Sequence, residues 1–412
     1  MAPSDAAPDV PGGPAGVYVH VPFCRSKCAY CDFASFAGLE ALHERYIAAL
    51  LREVEGASSD WLALGFDTLF VGGGTPTALP AADLVRLLRA CQQHLGVPLT
   101  AEISLEANPG TVSPSDLATL RRAGYNRLSL GAQSLRDDEL DLLGRIHTSE
   151  EAIQAYRWAR EAGFANLNLD LIYGLPRQSL SQWRESLERA LDMVPEHLSL
   201  YALSVEEGTP LEECIARGAL PAPDDAAAAD MYELAEDLLD RAGYAHYEIS
   251  NWARRGLDDP GPAKPGSSQS KVGPPDMPAL ACRHNLKYWR NQPYLGLGSA
   301  AHSYDGRCRR ANVTSPREYI ERVEAGRDVV AEEECPDRDQ RMDETMMLGL
   351  RLIEGVSHEE FARRFGVGLQ AVYGAEIAET AGDGLLDVDR RGVRLTPRGR
   401  LLGNRVFAAF LR

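Results

Sequence analysis

The sequence predicts an α/β protein built on a parallel sheet, followed by a smaller, mainly helical unit. Two observations predict the sheet. Short apolar, β-branched runs fall at 17–21, 67–71, 101–106, 127–131, 167–172 and 197–203. Between them, apolar residues recur at helical spacing over 39–54, 81–94, 114–123, 149–162 and 180–193. Strands that alternate with helices must run parallel, because each return crosses the sheet face. Several helices carry start signals, such as Ser113-Pro114 and Thr148-Ser149-Glu150-Glu151. A third observation is length: 412 residues exceed one ordinary domain and suit a barrel-sized unit plus a partner. Periodicity alone does not separate a doubly wound sheet from a barrel.

Composition narrows the function classes. Hydrophobic residues make up 44% and charged residues 25%, which suits a packed globular core. The formal charge is −17, from 43 Lys and Arg against 60 Asp and Glu. Such a surface argues against nonspecific binding to nucleic acid or anionic lipid. No apolar run approaches the ~18 residues of a membrane span. Residues 1–15 are rich in Ala, Pro, Asp and Gly, lack the charged and apolar regions of a signal peptide, and read as a disordered lead-in. A cytoplasmic, reducing location follows, where eight cysteines are expected as metal ligands or core residues rather than disulfides.

The chemistry-bearing residues cluster at strand ends. The first strand runs into FCRSKCAYC, which spaces Cys24, Cys28 and Cys31 as C-x3-C-x2-C. Thiolates are the soft ligands of iron–sulfur clusters, and three of them on four irons leave one iron open. A zinc knuckle is the alternative, although structural zinc sites usually pair two C-x2-C units and no second unit follows. The second strand ends in Gly72-Gly73-Gly74-Thr75, where glycines let backbone approach a ligand closely. The third ends in SLEANPG, which puts Glu106 where barrel proteins bind ligands.

Together these motifs resemble the radical S-adenosylmethionine (SAM) superfamily. The resemblance implies a partial (β/α)6 TIM-like barrel, a [4Fe–4S] cluster on Cys24, Cys28 and Cys31, and SAM on the open iron. Gly73, Gly74 and Thr75 match the glycine motif that grips the SAM amino group. Glu106, Gln133, Arg145 and Asp170 match polar positions around SAM, and Tyr18 and Phe33 match residues that flank it. His20, on the first strand, reads either as a barrel-lining partner of cluster or SAM or as a satisfied core histidine. His302 reads as a SAM contact or as packing at the barrel mouth.

The run PFC, YCDF, GGGTPT, LEANP, LSLGAQS, DLIYGLP and SLYAL resembles the oxygen-independent coproporphyrinogen III oxidase-like family. Two subgroups differ after the third cysteine. The oxidase has a further cysteine there, whereas this chain reads Cys31-Asp32-Phe33. The HemW-type heme chaperones share that ending and carry an H-N-x-x-Y-W motif, matched here by His284, Asn285, Tyr288 and Trp289. The resemblance therefore implies heme as cargo, heme-accepting respiratory proteins as partners, possible homodimers, and no nucleic acid. Two readings of His284 stand: an axial heme ligand, or a hydrogen-bonded structural histidine; Cys282 competes with it as ligand. Arg283 or Lys287 would meet the heme propionates. Oxidative decarboxylation of coproporphyrinogen III is the alternative function.

The expected organisation is a core barrel over 16–245, an extension over 246–330 that contains a flexible insertion at 256–281, and a C-terminal domain over 331–412. The insertion is dense in Pro, Gly and Ser. The C-terminal domain ends in a helix, hairpin and helix with a winged-helix-like outline.

Overall fold

The computed structural model describes residues 13–256 and 277–412. Six parallel strands form in sequence order: β1 (Ala15–Val21), β2 (Phe66–Gly73), β3 (Glu102–Ala107), β4 (Arg127–Gln133), β5 (Asn166–Tyr173) and β6 (His197–Ala202). Helices α1 (His43–Glu55), α2 (Ala81–His94), α3 (Pro114–Ala123), α4 (Ser149–Glu161) and α5 (Leu180–Asp192) connect them. Capping boxes start α4 at Thr148 and Glu151, and α5 at Ser179 and Gln182. Next, α6 (Asp225–Arg241) leads to an antiparallel pair, β7 (Tyr244–Glu248) and β8 (Asn251–Arg254), on the β6 edge.

The expected six parallel strands become seven. After α7 (Arg283–Trp289), the four-residue β9 (Tyr294–Leu297) pairs parallel to β1, with Gly16 opposite Tyr294. Antiparallel β10 (His302–Tyr304), β11 (Arg309–Asn312) and β12 (Val330–Glu334) extend that edge. The order is β12-β11-β10-β9-β1-β2-β3-β4-β5-β6-β8-β7. Helix α8 (Pro316–Glu324) packs on α1. No helix of the described residues is long and apolar enough to cross a membrane.

Alternation along the strands sets the two sheet faces. Val17, Val19, Leu69, Val71, Leu105, Leu128, Leu130, Leu169 and Leu198 are fully buried in the main hydrophobic cluster, with residues of the outer helices. The intervening residues Tyr18, His20, Arg127, Ser129, Asn168, Asp170, His197 and Ser199 line a cavity on the other face. The sheet thus has a greasy outside and a polar inside, the reverse of a barrel filled by branched apolar residues.

Several boundaries move. Ala15, expected in the lead-in, is the buried first residue of β1. Of the expected insertion, 257–276 lie outside the described residues. Its end is structured: Ala281 is buried, and Met277 and Leu280 pack beside Tyr247 and Leu286. The acidic stretch Glu332–Glu334 is the end of edge strand β12, so the C-terminal unit starts after it, at α9 (Arg338–Gly349). Cys308 and Cys335, expected as isolated core residues, are joined as a disulfide. Strand register causes this, because their neighbours Arg309 and Glu334 face each other across β11 and β12.

The C-terminal unit has its own core of Met346, Leu350, Phe361, Phe365, Tyr373 and Phe410. Helices α10 (His358–Phe365) and α11 (Leu369–Gly382) precede a hairpin, Leu386–Val388 with Gly392–Leu395, and two short helices.

The facing rule gives a stability prediction. Leu169→Ala, which empties a side chain 1% exposed beneath the helices, should cost roughly 2–5 kcal/mol. Leu180→Ala, at a position 42% exposed, should stay within about 0.5 kcal/mol. Equal midpoint shifts in chemical denaturation would contradict the assignment of faces.

Candidate cluster and cofactor site

Two cavities, ≈ 510 Å³ and ≈ 430 Å³, occupy the polar face. They share walls at Phe33, Gly73, Glu106, Ser129, Asp170 and Tyr201. The smaller cavity lies at the C-terminal ends of the strands. It is lined by Cys24, Cys28, Cys31, Gly74, Thr75, Gln133 and Arg145. The larger runs deeper and is lined by Tyr18, His20, His284, Asn285, Tyr288 and His302, among others.

The three cysteines are free and partly exposed to the cavity. Arg145 donates from Nη1 to Cys28 Sγ at 3.1 Å and from Nη2 to the Gly131 carbonyl at 2.8 Å. A fixed guanidinium there offsets the negative charge of thiolate ligands. Cys24 Sγ lies 3.5 Å from Thr75 Oγ1. Burial pushes the Cys24 thiol upward, which disfavours a free thiolate. Among the described residues, the triplet does not form a set whose ligand atoms all lie within 4.8 Å of one another. A tetrahedral zinc would draw its sulfurs to about 3.8 Å apart. The wider spread, the cavity beside it and the open fourth side fit a [4Fe–4S] cluster.

The glycine turn is built for close approach. Gly73 has φ +117°, and a Cβ there would lie 2.7 Å from the His20 ring. A Cβ on Gly74 would lie 2.8 Å from the Phe23 carbonyl and 3.0 Å from Cys24 Sγ. Gly73 N–H donates to Glu106 Oε2 at 3.1 Å. Gln133 ends β4 in the left-handed region at φ +64°, strained for a non-glycine residue and facing the same cavity.

Electrostatics inside are unusual. Burial, reinforced by repulsion from Asp170, pushes the Glu106 carboxyl up to about 8. Burial also raises Asp170, which accepts from Ser129 Oγ at 2.9 Å and Asn168 Nδ2 at 2.7 Å. Two nearby acids therefore resist ionising together until a cation arrives, and the sulfonium of SAM is one. His20 Nε2 donates to the Ala34 carbonyl at 2.9 Å, so Nδ1 accepts from Tyr18 Oη at 3.0 Å. Burial keeps that ring neutral by lowering its pKa.

The motif residues separate. His284, 1% exposed, bonds Thr68 Oγ1 at 2.8 Å through Nδ1 and Tyr288 Oη at 3.0 Å through Nε2. Phe70 stacks on it at 5.3 Å between centroids. Burial, and then Lys287, depress its pKa to about 3. Asn285 and Tyr288 line the cavity with it. Trp289 does not; its ring lies under the Arg351 guanidinium at 4.4 Å. Arg283 and Lys287 both pair with Asp67, at 2.8 and 2.6 Å. Arg127, Asn168, His197 and Asn251, which no motif marks, and Ser199, the first residue of SLYAL, complete the inner wall.

Comparison with known proteins agrees with this geometry. Residues 18–190 match the radical SAM superfamily, and 337–402 match the HemN C-terminal domain. The heme chaperone HemW of Bacillus subtilis is 35% identical, over 96% of this chain and 98% of its own. That of Mycobacterium tuberculosis H37Rv is 38% identical, over 98% and 96%. The chain belongs to the HemW family.

The HemW of Escherichia coli K12 is 34% identical over 97% and 98%. Among solved structures, coproporphyrinogen III oxidase HemN of E. coli, a radical SAM enzyme, superposes with a TM-score of 0.80 at 25% identity. It covers 98% of this chain and 91% of the enzyme. The superfamily match brings a [4Fe–4S] cluster and SAM as cofactors. A HemW-family chain thus keeps the oxidase's architecture, with Phe33 two residues after the third cysteine, exposed by 65%.

Two predictions follow from the site. Anaerobic reconstitution should load close to four irons per chain, and Cys→Ala at Cys24, Cys28 or Cys31 should abolish the cluster absorbance. Stoichiometric zinc without iron would contradict the assignment. The second concerns pH. A carboxyl raised from 4.5 to about 8 on folding binds more protons folded than unfolded across that window, so its contribution to stability falls as pH rises through it. Apo protein should lose stability between pH 5 and 8, and Glu106→Gln should remove part of the slope. An unchanged slope in the variant would mean Glu106 is ionised throughout.

Proposed function

We propose that this chain is a heme chaperone that holds heme as cargo beside its cluster and SAM, and passes it to heme-accepting respiratory proteins. One observation carries the reading. In a chain alike over its full length to named heme chaperones, His284, Asn285 and Tyr288 line a cavity that shares walls with the cofactor cavity.

The residues have distinct tasks on this reading. Cys24, Cys28 and Cys31 hold the cluster, and Arg145 balances the charge at Cys28. The glycine turn, Glu106, Gln133 and Asp170 hold SAM, with Tyr18 and Phe33 against it. Cluster and SAM, when bound, would supply one-electron chemistry.

His284 is the better heme ligand of the two candidates. Its pKa near 3 leaves the ring neutral and able to coordinate throughout the physiological range. Cys282 is held protonated, since burial pushes its thiol up to about 12. The Nε2 partner of His284 is the Tyr288 hydroxyl at 3.0 Å, so coordination of iron by Nε2 requires the Tyr288 side chain to move aside. Tyr18, Phe70 and Tyr294 offer flat walls to a porphyrin.

A cytoplasmic site of action, delivery at the membrane surface and a homodimeric assembly complete the proposal. Phe33, where the oxidase has cysteine, disfavours the decarboxylation of coproporphyrinogen III. The experiment is a heme titration of cluster-loaded protein, followed by absorption spectroscopy. His284→Ala should weaken binding by about tenfold or more and change the Soret band, while Cys282→Ser should leave both unchanged. The reverse pattern would hand the ligand role to Cys282, and retention of spectrum and affinity in both variants would remove the motif from heme binding.

A further inference from the structure

Arg127 is the first residue of β4, at the end of the strand opposite the cysteines. It is 2% exposed and lines the ≈ 510 Å³ cavity. Its Nε has no hydrogen-bond partner. Among the described residues, its guanidinium forms no hydrogen bond and has no carboxylate within the 4.0 Å of an ion pair. A buried cation without a contact partner is costly, and natural proteins rarely leave one so.

The acids around it are engaged elsewhere. Glu102 accepts from the backbone N–H groups of Arg283 and His284 at 3.1 and 3.0 Å. Asp170 is held by Ser129 and Asn168. Burial opposes the charge of Arg127, and Cys282, Glu102, Tyr247 and Asp170 acting through space outweigh it, so its pKa is raised. His197, beside it, is bonded at both nitrogens, to Asn168 Oδ1 at 2.7 Å and Tyr247 Oη at 2.9 Å. The protein therefore offers a charged, planar five-donor fork to the cavity, and among the described residues no acceptor of the cavity wall is hydrogen-bonded to it.

That fork matches one chemistry best, a carboxylate gripped by two parallel N–H groups. The rest of the cavity says what carries the carboxylate. Its walls include His284, Tyr288, Phe70 and Tyr18. Those are faces for a flat ring. The cations that the sequence places beside the motif, Arg283 and Lys287, are already tied to Asp67.

We propose that Arg127 forms a carboxylate subsite in the cavity floor that receives one propionate of heme while His284 faces the iron. The proposal rests on the heme-carrier reading above. It adds a positioning role. A propionate anchored in the floor fixes the in-plane orientation of the ring, which an axial ligand alone leaves free to rotate.

The test uses full-length, cluster-loaded protein titrated anaerobically with two probes, heme and heme dimethyl ester. Parent protein should bind the diester about tenfold or more weakly than heme, since a charge-assisted bidentate contact is lost. Arg127→Met should lose the same factor for heme and nothing for the diester, and Arg127→Lys should fall between. Iron content and far-ultraviolet circular dichroism check that the variants fold. Equal affinity of parent for heme and diester overturns the subsite, even if no variant folds. Equal heme affinity of parent and Arg127→Met also overturns it and makes Arg127 a hydrated structural cation. In either case loss of heme by His284→Ala keeps the carrier reading intact. A parent that takes up no heme overturns both.

Discussion

The two-residue alternation of the parallel strands is the constraint on which the rest depends. Residues such as Leu128, Leu130, Leu169 and Leu198 must face the helices, because only there can they leave water. That choice forces Arg127, Ser129, Asn168, Asp170, His197 and Ser199 onto the opposite face. A slip of one residue in any strand would bury the wrong set, so the apolar face fixes the register of the polar one. The site is thus held by the hydrophobic effect acting on residues that never touch it.

A polar interior brings its own electrostatic requirements. Histidines there remain neutral, as at His20, His197 and His284, because burial disfavours the charged ring. Carboxyls move the other way, as at Glu106 and Asp170. Neutral imidazoles can coordinate a metal, and a raised acid can ionise when a cationic ligand enters. The interior is therefore poised for ligands by the same desolvation that makes it costly to empty. Arg145 at Cys28 and the glycine approach to Cys24 show the same economy at the cluster end, where backbone and one cation do the work of several side chains.

Much of this was legible in the sequence. All six of the main strands fall within two residues of their expected bounds, because each is a strongly apolar run between clear helix signals. C-x3-C-x2-C, the glycine turn and Glu106 each sit at a strand end within a short window, and the structure brings these residues to the wall of one cavity. The seventh parallel strand, Tyr294–Leu297, was not, being four residues long and separated from the periodic region. Arg127, Asn168 and His197 were missed because they meet only through tertiary structure. Their one local trace is a polar residue at every second position of β4 to β6, which reads as noise beside the apolar signal. The Cys308–Cys335 bridge, 27 residues apart in sequence, depends on the pairing of two edge strands that periodicity did not reveal.

The central claim is spatial: heme cargo and cluster occupy adjoining cavities on one polar sheet face. It is tested most directly by the electron-spin relaxation of the reduced, SAM-bound cluster, measured by pulsed electron paramagnetic resonance with and without bound ferrous heme, which with one axial ligand is high-spin and paramagnetic and is not reduced further by the cluster. The account predicts clear acceleration of cluster relaxation when heme is present, because two paramagnets separated by one shared wall couple through space. Cluster relaxation that stays the same at full heme occupancy would place the heme on a distant surface and contradict it.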